Sequence, residues 1–318
     1  MNLDKILTEE YQTVSGADIL ENKKEKNESE AKLLDTFLYW LDYNTNRLIN
    51  YDYRSVSDRM REKKHRTVFY SKEDIKNFSI AMCMYEDHPY FIESGIFLSY
   101  LVNQHYKQNK TSMILESKNK SEKKNNEKNQ KTNCNRATEY EPRTNNQKKE
   151  KKNDTYEIIT EHFSKGIDNL GYKNIGAHVH ITGNAGNYLG ADMIDGSIFL
   201  TGNAESVGDL MTGGTISVQD TMNAGFGMKK GNIYIRRNTY ESVGEEMNGG
   251  TIHINGEIVS LLSLERLYEK IRDNMGKGEI YHKCIKIKRN MTNKEYETML
   301  KNLQRLEKIK REKKEIKK

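Results

Sequence analysis

The side chains best suited to chemistry in this sequence are eight histidines, three cysteines and a scatter of carboxylates. Cys83, Cys134 and Cys284 are far apart, odd in number and form no Cys-x-x-Cys pair. That spacing builds neither a zinc nor an iron–sulfur site, and it suits a reducing, cytoplasmic location without a disulfide framework. His178 and His180 share one strand face, but Ser197 and Phe199, at the matching positions of the following segment, complete no ligand set. His180 and His253 occupy equivalent outward positions four repeats apart, about 19 Å at a rise near 4.8 Å per repeat, which is too far to share a metal. Asp192, Asp195, Glu245 and Glu246 are corner carboxylates; a stacked pair could serve as acid and base, but no spacing singles one out, and solvated side chains are the simpler reading. No His-Glu-x-x-His, Gly-x-Ser-x-Gly or calcium-loop pattern occurs. The sequence therefore assigns no catalytic, cofactor-binding or metal-ligating residue, and it calls for no cofactor.

The remaining candidate is a glycine-rich run, "GADMIDGSIFLTGNAESVGDLMTGGTISV", at 190–218. A phosphate cradle needs glycines leading into a helix N-terminus, as in Gly-x-x-x-x-Gly-Lys-Ser/Thr. No such run is present, and the neighbours of "GNAGNYLG" are more of the same pattern. The glycines instead belong to a repeat, read in "GADMIDGSIFL", "GDLMTGGTISV", "GFGMKKGNIYI" and "GEEMNGGTIHI". In each, a first glycine (Gly190, Gly208, Gly225, Gly244) precedes a methionine (Met193, Met211, Met228, Met247). A second glycine (Gly196, Gly214, Gly231, Gly250) and an isoleucine (Ile198, Ile216, Ile233, Ile252) follow. The methionine spacings of 18, 17 and 19 recur in the second glycines and the isoleucines, which is the signature of a structural repeat.

A unit this short cannot hold a strand–helix–strand crossover, which takes about 30 residues. It suits one coil of a parallel β-helix, with glycines at corners that need positive φ or close backbone approach. Methionine and isoleucine would each stack on their counterparts in the next coil. "AHVHITG" supplies an earlier strand with Val179 and Ile181 inward. "NMGKGEIYHKCIKI" restores the frame with Met275, Gly278 and Ile280 after a helical insertion at about 260–274 that can cap the open end. His282 then points inward, as a buried, hydrogen-bonded histidine. "QDTMNA" departs from the usual corner, so irregularity is expected after Val218.

Around this unit the composition changes. Residues 1–30 are polar and read as a flexible N-terminus. Residues 31–106 carry three amphipathic patterns, with a capping box of Ser71 and Asp74 before the second, and read as a small helical domain. Residues 107–153 hold 14 Lys/Arg against 6 Glu with few apolar residues, and read as a disordered basic linker. A short helical lead-in is expected at "DTYEIITEHFSKGI", opening the 154–290 unit. Residues 291–318 read as a charged helix that frays into a tail. The net charge of +6 thus comes from the flexible segments, and solvated linker is a better account of it than nucleic-acid binding. No apolar run approaches the length of a membrane span.

The segments "ITGNAGNYLGADMIDGSIFLTGNAESVGDLMTGGTISV", "VGEEMNGGTIHINGEI" and "GKGEIYHKC" resemble the GXGXG-type β-helix domain family. That family includes the C-terminal domain of the glutamate synthase large subunit and one of the subunits of tungsten or molybdenum formylmethanofuran dehydrogenase. The resemblance covers roughly 170–290. It implies a right-handed parallel β-helix that acts as a scaffold in an oxidoreductase assembly rather than as the place where bonds break. The flavin barrel and iron–sulfur cysteines of glutamate synthase have no counterpart here. The expected architecture is mainly β: a single-stranded right-handed solenoid with an N-terminal helical domain and a C-terminal helix. The expected role is a non-catalytic scaffold whose partner is another protein or an enzyme complex, docked on the outward residues His180, Phe199, Tyr234 and His253. A small-ligand or enzymatic site on the solenoid flank is the alternative, and nucleic-acid association through the basic segments is a second one. No membrane partner is expected.

Overall fold

The computed structural model describes residues 28–45, 70–88, 91, 94–111, 155–283 and 285–316. Expectations for residues 1–27 and for most of the basic linker lie outside these residues. The chain folds as a parallel β-solenoid of about five turns, with helices at both ends. Among the described residues three α-helices come first: α1 (Glu28–Thr45), α2 (Lys72–Ala81) and α3 (residues 94–111). Eleven strands follow: β1 (Thr155–Ile159), β2 (Ile175–Thr182), β3 (Asp195–Leu200), β4 (Ala204–Val207), β5 (Thr215–Val218), β6 (Thr221–Ala224), β7 (Asn232–Ile235), β8 (Thr239–Val243), β9 (Asn248–Ile254), β10 (Lys277–His282) and β11 (Ile285–Ile287). Helix α4 (Leu264–Asn274) interrupts the solenoid between β9 and β10, and α5 (Asn293–Ile316) closes the chain. No helix among the described residues is long and apolar enough to cross a membrane.

The larger sheet runs β1-β2-β3-β5-β7-β9-β10-β11, and the smaller one β4-β6-β8. All pairings are parallel except β10 with β11. Strand alternation sends two rows of side chains inward. One is Tyr156, Val179, Ile198, Ile216, Ile233, Ile252 and Ile280; the other is Ile158, Ile181, Leu200, Val218, Ile235, Ile254 and His282. The isoleucines therefore stack in register, as their spacing implies. The methionines do something more specific. Met193, Met211, Met228 and Met247 are fully buried, and each lays its Cε on the second glycine of the following coil, Gly214, Gly231, Gly250 and Gly278. The first glycine answers the other repeat element: a Cβ on Gly225 would stand 2.6 Å from Ile252 Cδ1. Glycine, methionine and isoleucine recur together because each occupies space that the others leave.

Two departures from the sequence reading concern the entry to the solenoid. Residues 155–159 are a strand, not the expected helical lead-in: Tyr156 and Ile158 are buried and Glu157 exposed, a period of two that completes both inward rows. Helix α3 also continues through residue 111, taking in Lys107 and Lys110 from the stretch read as linker. Lysine is a good helix former, and Thr111 Oγ1 donates to the Lys107 carbonyl there. The Ser71–Asp74 capping box is present in both directions. The corner after Val218 keeps its hydrogen bonds: Asp220 Oδ1 accepts from Asn238 N at 2.7 Å, as Asn184 and Asn238 accept from the coils after theirs. The irregularity falls one strand later, where β6 and β8 slip register after Thr221.

The helices are docked on the first coil rather than standing apart. Phe37, Trp40, Phe78 and Phe97 form their aromatic center, which is continuous with the solenoid core. Ser79 Oγ accepts from Ile159 N, and Glu86 Oε1 accepts from Lys165 N. Asn103 is buried and bonds three backbone groups of residues 172–175. At the other end, α4 buries Leu267, Tyr268 and Ile271, while α5 buries Met299 and packs on α4 and β11. Thr292 and Glu295 cap α5 reciprocally. Both ends, where a solenoid would expose unpaired strand edges, are covered.

Candidate interaction face on the larger sheet

Strand register brings the four residues expected at a docking face into one outward row. From the N-terminal end it reads Glu157, His180, Phe199, Ser217, Tyr234, His253, Tyr281 and Lys286. His180 packs edge-on to Phe199 with centroids 5.2 Å apart. Tyr234 and His253 are stacked at 4.7 Å and 5°, and His253 and Tyr281 at 5.1 Å and 11°. Ser217 is too small to join the two groups. Arg236 fills the gap, its guanidinium 4.4 Å from the Phe199 ring center while donating to the Leu200 and Val218 carbonyls. Lys286 covers the last ring and pairs with Glu279, which accepts from Tyr281 Oη at 2.6 Å. Beside this row runs a polar one, His178, Ser197, Thr215, Asn232, Thr251 and Glu279, in which His178 Nδ1 and Ser197 Oγ lie 2.8 Å apart.

The chemistry of this face follows from how the rings are used. Tyr234, His253 and Tyr281 cover one another's ring faces along the solenoid axis, whereas His180 meets Phe199 edge-on. Phe199 and Tyr234 are about 40% exposed despite these contacts. Burial holds the His253 imidazole below its ordinary pKa and lowers that of Arg236. Lys76 draws the Glu157 carboxyl down at one end, and Lys286 does the same for Glu279 at the other. His180 Nε2 is buried without a hydrogen bond.

No family model, curated protein or solved structure matches this chain.

The other residues weighed for chemistry do not converge. Among the described residues no three His, Cys, Asp or Glu side chains gather as a metal site requires. A small void between α3 and the first coil, lined by Ser99, Asn103, Asn174 and Val179, has room for no more than a water molecule. Asp192, Glu245 and Glu246 lie on solenoid corners, Asp192 and Glu246 with positive φ, whereas Asp195, expected at a corner, opens β3 and pairs with Ile175. His282 is buried, as the frame requires: Tyr268 Oη meets Nδ1, and Nε2 donates to the Gly256 carbonyl at 2.9 Å. It ends an aliphatic row and ties α4 to the last coil. Tyr268→Phe removes the hydroxyl serving Nδ1 and should cost about 1–2 kcal/mol in urea unfolding. Adding His282→Leu should recover part of that loss, because the row then ends in a hydrocarbon.

The residue whose environment sequence reasoning missed is Asp209. Burial at the corner lifts its carboxyl from 3.8 to about 6, and Oδ1 has no hydrogen-bond partner. A carboxyl raised in the folded state destabilises once it ionises: the cost is absent below about pH 4 and complete above about pH 6. Asp209→Asn should therefore stabilise the protein at pH 7.5 by about 1 kcal/mol, discounted for this partly exposed site, with no gain at pH 4. Denaturant titrations at the two pH values check this.

Proposed function

We propose that this chain is a non-catalytic scaffold or interaction subunit that holds another protein, or an enzyme complex, against the outward row of the larger sheet. The observation that carries this reading is the interlocked row from His180 to Lys286. Its side chains are held by their neighbours before any partner arrives, so docking there forfeits little rotamer entropy. Aromatic groups with polar tips are also the side chains that dominate protein interfaces. The resemblance to the β-helix domains of glutamate synthase and formylmethanofuran dehydrogenase supports an oxidoreductase or one-carbon enzyme assembly as the setting.

Affinity capture of the full chain from its native cells, at moderate and high salt, tests this against a Phe199→Ala/Tyr234→Ala variant. Such surface changes should cost about 1 kcal/mol or less per ring contact, so the variant remains folded. The expected result is a stoichiometric protein retained at high salt by the native chain and lost from the variant. A partner indifferent to the variant, a chain recovered alone, or nucleic acid released by salt would overturn the reading.

A further inference from the structure

The chain leaves β2 through Thr182–Gly183, β3 through Thr201–Gly202 and β9 through Asn255–Gly256. Contact fixes the glycine in the last of these corners, because a Cβ on Gly256 would run into the Arg237 carbonyl. The residue before it is exposed, and it is asparagine where the other two corners have threonine. The corner amide also lacks the partner it has elsewhere. Gly183 N donates to Thr201 Oγ1 of the following coil at 3.0 Å. The residue that stands in that place beyond Asn255 is Lys283, one step past the Ile254–His282 pair. A lysine ammonium accepts no hydrogen bond, and Lys283 pairs with Glu257. Among the described residues the Gly256 N–H has no acceptor.

An exposed carboxamide beside an unbound glycine amide, with no Cβ to hinder their approach, lets the chain attack itself. We propose that Asn255–Gly256 is a self-modification site that converts to isoaspartate without an enzyme. Gly256 N loses its proton to hydroxide and attacks Asn255 Cγ. The new N–Cγ bond closes a cyclic imide while the Cγ–Nδ2 bond breaks and ammonia leaves. Water then opens the imide. Addition at Cγ gives aspartate; addition at the main-chain carbonyl carbon gives isoaspartate, with one extra carbon in the backbone. The net change is water in and ammonia out, with no oxidant or reductant. The other Asn–Gly pair, Asn248–Gly249, lies inside β9, where Asn248 N donates to the Met228 carbonyl and the residue pairs with Lys277. The ladder holds that pair extended and slows the same attack.

The lengthened corner no longer fits its bonds. Asn255 N donates to the Ile235 carbonyl at 3.0 Å, and the Gly256 carbonyl accepts from His282 Nε2 at 2.9 Å. An extra carbon between these two points draws the Gly256 carbonyl away from His282, whose other nitrogen meets Tyr268 of α4. Conversion therefore loosens the C-terminal cap as the protein ages.

Incubation of the full chain at mildly alkaline pH, with peptide mapping that separates aspartate from isoaspartate, tests the inference. In the folded chain Asn255 should convert within about threefold of its rate in urea, and Asn248 about tenfold or more below its own rate in urea. Amide exchange in α4 should quicken about fivefold in the converted chain, as the loss of one hydrogen bond implies. Asn255→Thr, which restores the residue of the two earlier corners, should fold like the native chain and keep its α4 exchange unchanged on incubation. Asn255 intact in the folded chain while it converts in urea, Asn248 converting as fast as Asn255, or α4 exchange indifferent to conversion would overturn the inference.

Discussion

Gly231→Ala is expected to destabilise the solenoid by about 3–5 kcal/mol. Gly231 has φ +101°, a conformation that side chains disfavour, and a Cβ there would meet Met211 Cε at 2.6 Å and the Gly214 carbonyl at 2.7 Å. Backbone strain accounts for about 1–3 kcal/mol and overpacking for a similar amount. The melting temperature should fall by roughly 8 °C or more. Met211→Ala alone should cost about 2–4 kcal/mol through the cavity it leaves. The double variant should be less destabilised than the sum by about 1 kcal/mol or more, because the alanine methyl enters space the methionine has vacated. Strict additivity would mean that methionine and glycine do not form a packing unit.

The second large effect lies at the N-terminal cap. Asn103→Ala strips hydrogen bonds from Ile175 N and from the Tyr172 and Lys173 carbonyls, at 3.2, 3.4 and 3.1 Å, inside a buried contact. Leaving such groups unserved should cost about 3 kcal/mol. Because Asn103 joins a helix to a coil 69–72 residues away, the loss should appear on both sides of the contact. Amide exchange should accelerate in β1 and residues 171–176 as well as in α3. A variant within about 0.5 kcal/mol of the native chain, or acceleration in α3 alone, would mean that the helices are an appendage rather than a cap.

These effects mark what was legible in the residues and what was not. The Gly–Met–Gly–Ile frame is a steric unit, and its 17–19 residue spacing imprints it on the sequence, so the solenoid, the inward His282 and the outward row of His180, Phe199, Tyr234 and His253 could be placed from that frame. Tyr281 was harder to place, because α4 separates its coil from the one before. Asn103 and Ser79 left no trace: each bonds a distant backbone group, and backbone groups carry no sequence. Strand β1 was misread because a single pair of inward residues, Tyr156 and Ile158, is too short a pattern to separate strand from helix. Asp209 gained its raised pKa from burial that no local pattern reports.

Helices and coils share one continuous core, closed at both ends, and present its flanks. Native-state hydrogen exchange of the full chain, read strand by strand, tests it most directly. The expected result is one cooperative unit, with closely similar opening free energies for amides in β1, in the middle strands β5 and β7, in β10, and in the capping helices α3 and α4. A gradient from a stable center to ends that open independently, or helices α2 and α3 exchanging apart from β1, would contradict it.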